Sequence, residues 1–308
     1  MTKSSVKKLF IFVILGLILL PGCQSKESVS GNKEKGDKVK VCTSFYTMYD
    51  FVNKIGGDKV EIVNLVPTGV EPHEWEPTPK DIAKIEAADV LVYNGAGMDS
   101  WADKAVKAVN KKDLIVVKAS EGLELINSNS GDHKESGGDP HIWLDPLQAK
   151  KQMEIIEKAL IKADETNKDY YENNFNVNSK KLDELDKQYR DAVAGFARKD
   201  IIVAHEAFGY LCRAYGLRQV AIEGLSAENE PTPARISEIV KFVKDNGVKV
   251  VFYEELISPK IAEVIANETG AKVDKLNPIE SAGDDSSRGT EYFSIMAENL
   301  KALTSALK

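Results

Sequence analysis

The chain has 308 residues, 43% apolar and 29% charged, a length that suggests about two domains and a composition ordinary for a folded protein with buried cores. Its net charge is -7, and no lysine- or arginine-rich face stands out, which argues against nucleic acid as a partner. Acidity alone identifies no ligand.

The first elements in chain order belong to export rather than to the fold. Lys3, Lys7 and Lys8 precede an apolar run from Leu9 to Leu20 that only Gly16 interrupts, and Pro21-Gly22-Cys23 follows at once. That run is shorter than the roughly 20 residues a membrane-spanning helix needs, so residues 1–22 read as a signal peptide. Leu20-Pro21-Gly22-Cys23 resembles the bacterial lipoprotein cleavage box. The resemblance implies lipidation of Cys23 and a protein anchored at the extracellular face of the cytoplasmic membrane. Residues 23–38 carry almost nothing apolar and are expected to form a flexible tether.

From Val39 onward, short apolar runs alternate with amphipathic stretches. Strands are expected at Val39–Ser44, Val60–Val66, Val90–Tyr93 and Leu114–Val117, separated by helices at Tyr46–Ile55, Pro79–Ala88 and Ser100–Val109. Between Leu147 and Phe196 the apolar residues fall at helical spacing, and no strand signal appears. The alternation then resumes, with strands at Asp200–Ala204, Gln219–Ile222, Val248–Tyr253 and Lys272–Leu276 and helices at Phe208–Tyr215, Pro233–Asp245, Ser258–Glu268 and Thr290–Leu307. The fold class is therefore α/β, with two lobes of mostly parallel sheet. An N-terminal lobe over 39–165 and a C-terminal lobe over 199–308 are joined by one long rigid helix over 166–198.

Four histidines occur in the whole chain, and two of them sit in matching segments, Pro72-His73-Glu74-Trp75 and Pro140-His141-Ile142-Trp143. A third, His205, directly follows the strand Ile201-Ile202-Val203-Ala204. In open α/β sheets, ligands bind beyond the carboxyl ends of the strands, so a cleft between the lobes would bring these imidazoles together. Neutral, stiffly held imidazoles suit zinc, which takes four ligands. The fourth should come from the C-terminal lobe, where Glu280 follows a strand; Asp284 and Asp285 just beyond are the alternatives. Three histidines and a carboxylate would leave no coordination position for a substrate. No His-Glu-x-x-His, Gly-x-Ser-x-Gly or phosphate-binding glycine loop is present. The metal reads as cargo, and an enzyme is not expected.

The cleavage box, Pro72-His73-Glu74-Trp75-Glu76-Pro77, Pro140-His141-Ile142-Trp143-Leu144-Asp145-Pro146, Ala204-His205-Glu206-Ala207-Phe208-Gly209-Tyr210 and Asn277-Pro278-Ile279-Glu280-Ser281 together resemble the zinc/manganese solute-binding lipoproteins of bacterial ABC importers. The resemblance runs from about Val39 to the C-terminus. It implies two α/β lobes on a rigid helix with one metal between them, held by His73, His141, His205 and Glu280. It also implies an ABC permease and its cytoplasmic ATPase as partners, a membrane reached through the lipid anchor, and a monomer. Manganese binders of this family tend to place two carboxylates at the third and fourth positions, so His205 favours Zn2+ over Mn2+ as the transported ion. A manganese or iron receptor of the same fold, an exported zinc hydrolase and a surface adhesin with a structural metal are the competing readings.

Four smaller expectations accompany this one. Asn127–Gly138 is a polar loop with a single histidine, His133, a stub of the histidine-rich loop found there in zinc-specific members; a plain solvated loop is the favoured reading. Trp75 and Trp143 should pack around the site. Asp139, Glu206 or Asp145 should accept the outer N–H of a ligand imidazole. Cys42 and Cys212, far apart in sequence and without a CxxC neighbour, are expected to be two buried thiols rather than a bridge.

Overall fold

The computed structural model describes residues 37–127, 138–225, 231–281 and 291–308. The signal peptide, Cys23, His133, Asp284 and Asp285 lie outside the described residues.

Four strands, β1 (Val39–Thr43), β2 (Val60–Asn64), β3 (Val90–Tyr93) and β4 (Ile115–Lys118), form an all-parallel sheet in the order β2-β1-β3-β4. Four more, β5 (Asp200–Val203), β6 (Arg218–Ala221), β7 (Val250–Tyr253) and β8 (Lys272–Lys275), repeat that order as β6-β5-β7-β8, again all parallel. Parallel strands need crossovers, and helices supply most of them. α1 (Tyr46–Gly56), α2 (Pro79–Ala87) and α3 (Ala102–Ala108) serve the first sheet. α6 (Gly209–Tyr215), α7 (Pro233–Asn246) and α8 (Lys260–Thr269) serve the second. The expectation of two parallel α/β lobes holds.

Three helices start on the same local signal, an oxygen-bearing cap followed by proline. Thr78-Pro79, Asp145-Pro146 and Thr232-Pro233 open α2, α4 (Pro146–Ala163) and α7, and each cap side chain accepts a first-turn N–H. Proline gives up no helical bond at that position, and the cap satisfies one of the orphan donors.

Between the lobes run α4 and α5 (Lys168–Val193), which pack together. α5 has 26 residues, about 39 Å at 1.5 Å per residue. It lies within the expected 166–198 stretch but is shorter than it. At its start the chain turns at Asp164, whose carboxylate collects hydrogen bonds from Asn167 and Tyr171. At its end the chain turns through Ala194 and Gly195 before β5. No described helix is long and apolar enough to cross a membrane.

One apolar cluster runs without a break from β1 and α1, through α4 and α5, to β5, α6 and the last helix, α9 (Tyr292–Leu307). The outer face of each sheet carries its own smaller cluster. The inner core thus belongs to both lobes at once. Polar contacts reinforce it: the Tyr189 hydroxyl on α5 donates to the Met296 carbonyl on α9 at 2.7 Å. Lys54 on α1 meets Glu291 beside α9 at 3.0 Å. A shared, densely packed interior resists wide hinge opening.

Candidate metal centre

Each candidate ligand stands on a loop beyond the carboxyl end of a strand. His73 follows β2 through a turn whose Gly69 sits at φ 78°. His141 begins the short 3-10 turn Ile142–Leu144 that leads into α4. His205 comes two residues after β5, and Glu280 five residues after β8. His141 is fully buried, and His205 and Glu280 are nearly so.

Their donor atoms meet, all four within 4.8 Å of one another. His141 Nε2 lies 3.2 Å from His73 Nε2, 3.3 Å from His205 Nε2 and 3.0 Å from Glu280 Oε1. Glu280 Oε1 is in turn 3.6 Å from His73 Nε2 and 3.4 Å from His205 Nε2. A tetrahedral zinc with bonds of about 2.0–2.1 Å sets its ligand atoms ~3.3–3.4 Å apart. The five distances bracket that edge, so the four groups can hold such an ion with little rearrangement. Three nitrogens and one oxygen fill a tetrahedron and leave no position for an activated water.

The electrostatics follow from burial and from carboxylates packed against the rings. Burial opposes a charge on His205, yet Glu254 and Glu280 outweigh it and hold the imidazole well above its ordinary range. Burial likewise works against His141, and hydrogen bonds to Asp139 and Glu280 overcome it. For His73 burial wins, and the pKa falls. Glu280 pays the same burial cost, but His205, His141 and His73 hold it well below the usual carboxylate range. Glu71, two residues before His73, is pushed up to about 7 by burial and by the charge of Glu280. It lines a small cleft that also borders Glu254, Glu255 and Glu280.

The supporting groups are partly those expected. Asp139 Oδ1 stands 2.9 Å from both the main-chain N–H and Nδ1 of His141. Asp145 instead caps α4. Glu206 is half-buried near Asp139, and burial and that neighbouring charge raise its carboxyl. The carboxylate packed against His205 is Glu254, which the sequence reading missed. Its Oε2 lies 2.5 Å from His205 Nδ1, an ion-pair contact without hydrogen-bond geometry. The only sequence signal was a carboxylate just past a strand, too common to single out.

Trp143 packs against a candidate ligand as expected, whereas Trp75 packs against Trp101 and the outer core of the N-terminal lobe. Trp143 is fully buried with its ring centroid 5.4 Å from that of His141, while half-buried Trp75 meets Trp101 edge-on at 5.2 Å. The Glu280 loop is fastened from several sides. Asn277 and Asn299 exchange hydrogen bonds of 2.9 and 2.7 Å. From the other lobe Thr47 Oγ1 donates to the Ile279 carbonyl, and the Gly69 N–H donates to Ser281 Oγ at 2.8 Å. Buried Ile279 adopts φ 64°, a conformation costly for a β-branched residue. Cys42 and Cys212 are both buried and free.

Over residues 41–306 the chain matches the family described as zinc-uptake complex component A, periplasmic (ZnuA). It is 40% identical to the high-affinity zinc uptake system protein ZnuA of Bacillus subtilis, with 96% of this chain and 97% of that protein covered. Among solved structures it is similar to Zn(II)-bound AdcA of Streptococcus pneumoniae, with a TM-score of 0.78 and 37% identity. That alignment spans 88% of this chain and 58% of AdcA, which is longer. The laminin-binding protein Lmb of Streptococcus agalactiae, described as a bifunctional protein with adhesin and metal transporting activity, aligns with a TM-score of 0.79 and 34% identity over 88% of this chain and 100% of that one.

Proposed function

Because the chain belongs to the ZnuA family of zinc-uptake components, we propose that His73, His141, His205 and Glu280 are the ligands through which it captures its cargo. The protein is an extracytoplasmic zinc-binding receptor that delivers Zn2+ to an ABC importer. The observation that supports the ligand set is the convergence of three imidazole nitrogens and one carboxylate oxygen at tetrahedral spacing, drawn from four loops and both lobes.

A nitrogen-rich, closed shell suits zinc better than manganese, which prefers oxygen. The closed shell is also why the protein carries the ion rather than using it for catalysis. Delivery involves a membrane permease driven by a cytoplasmic ATPase. The lipid anchor at Cys23 keeps the receptor, as a monomer, at the outer face of the cytoplasmic membrane.

Equilibrium competition against a chelator tests the assignment. His73→Ala and His205→Ala are each expected to weaken zinc binding by more than the roughly 10–100-fold that loss of an orienting partner costs. Wild-type affinity in either variant would overturn the ligand set. Preferential retention of Mn2+ in an equimolar mixture would overturn the assignment of zinc.

A further inference from the structure

We propose that Glu254 is a positioning residue for zinc capture, holding His205 in the tautomer and orientation that present Nε2 to the metal. The inference rests on the ligand set proposed above and adds a residue outside it. β5 and β7 are neighbours, with Ile202 beside Val251 in register. Three residues further along each chain, just past the carboxyl ends of the strands, stand His205 and Glu254. The parallel pairing of these two central strands therefore delivers the imidazole and the carboxylate side by side beyond their carboxyl ends.

Both oxygens of Glu254 are used. Oε1 accepts the main-chain N–H of His205 at 3.0 Å, and Oε2 faces Nδ1 of the same residue at 2.5 Å. Each side chain is only 2% exposed. Asp139 likewise reaches both the main chain and the ring of His141, through Oδ1 alone and with two hydrogen bonds of 2.9 Å. Asp139 is two residues from its histidine, whereas Glu254 is 49 residues away. Two unrelated chain routes thus each set a carboxylate against the main-chain N–H and the Nδ1 side of a candidate ligand ring. The neighbouring Glu255 turns elsewhere, to Lys275 at 3.0 Å and to Asn277 at 2.9 Å.

The chemistry explains the need. A neutral imidazole carries its proton on one nitrogen, and only the other can bind a metal. A carboxylate 2.5 Å from Nδ1 favours the proton on that nitrogen, which leaves the Nε2 lone pair for the cluster with His73, His141 and Glu280. Burying a carboxylate without a partner is costly, so the grip on His205 also accounts for Glu254 itself.

The test uses the mature protein and Glu254→Leu, which removes the acceptor at similar size, alone and with His205→Ala. Zinc affinity is read by chelator competition, and site geometry by the visible spectrum of the Co2+-loaded protein. Glu254→Leu is expected to weaken zinc binding roughly 10–100-fold and to change the cobalt spectrum. In the His205→Ala background it should cost nothing more. Wild-type affinity for Glu254→Leu, beside a weakened His205→Ala, would overturn the inference and leave the ligand set standing. A further loss in the double variant would also overturn it, because Glu254 would then act independently of His205. Wild-type affinity for His205→Ala alone would instead sink the ligand set. Glu254→Asp keeps the charge but withdraws the oxygen from Nδ1, and it decides the question where the leucine variant does not fold. Unchanged affinity and spectrum in that variant overturn the inference.

Discussion

The indole N–H of Trp143 donates to the carbonyl of Pro278 at 2.7 Å. Trp143 lies two residues after His141, and Pro278 two before Glu280, so one bond staples two candidate ligand loops from opposite lobes. Tyr292 extends the staple, donating from its hydroxyl to the Trp143 carbonyl at 2.7 Å. Trp143→Phe keeps an aromatic ring but leaves the buried Pro278 carbonyl without that donor, at a cost of about 1–3 kcal/mol. We expect a lower melting temperature, and zinc leaving faster by about tenfold for each ~1.4 kcal/mol of that cost borne by the zinc-bound site. Thermal unfolding and stopped-flow release into a chelator measure the two effects; unchanged release would separate the staple from the metal site.

Gly209 carries a second link between lobes. A Cβ placed there would come within 2.4 Å of Asp139 Oδ2, closer than real contacts allow, while the same carboxylate is engaged with His141. Gly209→Ala should push Asp139 off the ring and weaken zinc binding by about 10-fold, the lower end for losing an orienting partner. Combined with His141→Ala, the alanine should add little. Chelator titration of the single and double variants checks both statements.

Proton release follows from the charges around the rings. Despite burial, Glu254 and Glu280 raise the pKa of His205, and Asp139 and Glu280 raise that of His141. In the metal-free protein these imidazoles keep protons at a pH where free histidine loses them, and zinc must expel those protons to bind. Apparent zinc affinity therefore falls as pH is lowered and climbs as pH rises through the raised values. The sign reverses for the metal-free fold: stability from the raised pKa values is fully present below ~6.5 and is lost as pH rises through them. Calorimetry in two buffers of different ionisation enthalpy should give different binding heats, with protons released. Identical heats would contradict the expectation.

The two thiols give a simple check of the core. Burial raises Cys42 to about 11 and pushes Cys212 higher still, so neither offers a thiolate to a reagent near neutral pH. A chromogenic disulfide reagent should leave both unmodified in the native protein and titrate both after denaturation. Mass spectrometry should find no bridge between them.

The strand–helix alternation was legible because β1, β3 and β5 are short apolar runs between amphipathic stretches. The meeting of His73 with His141 was legible through the repeated Pro-His-x-Trp segment. Boundaries were less so. Leu65 and Val66 look like the end of a strand, and their N–H groups still reach the carbonyls of Thr43 and Ser44, but regular β2 ends at Asn64 as the chain turns towards the cleft. Glu254 was out of reach for a different reason. Its partner is set by the register of two strands 49 residues apart, and no local pattern records that pairing.

The contact between Thr47 and the Ile279 carbonyl joins residues separated by 232 positions. Contacts of such reach demand loop closure before they return any stabilisation, and they slow folding. The Glu280 loop draws its anchors from both ends of the chain, Thr47 on α1 and Asn299 on α9. A chain cut short before its final helix would keep all three imidazoles and the carboxylate, yet lose the Asn299 side chain that holds the loop carrying that carboxylate.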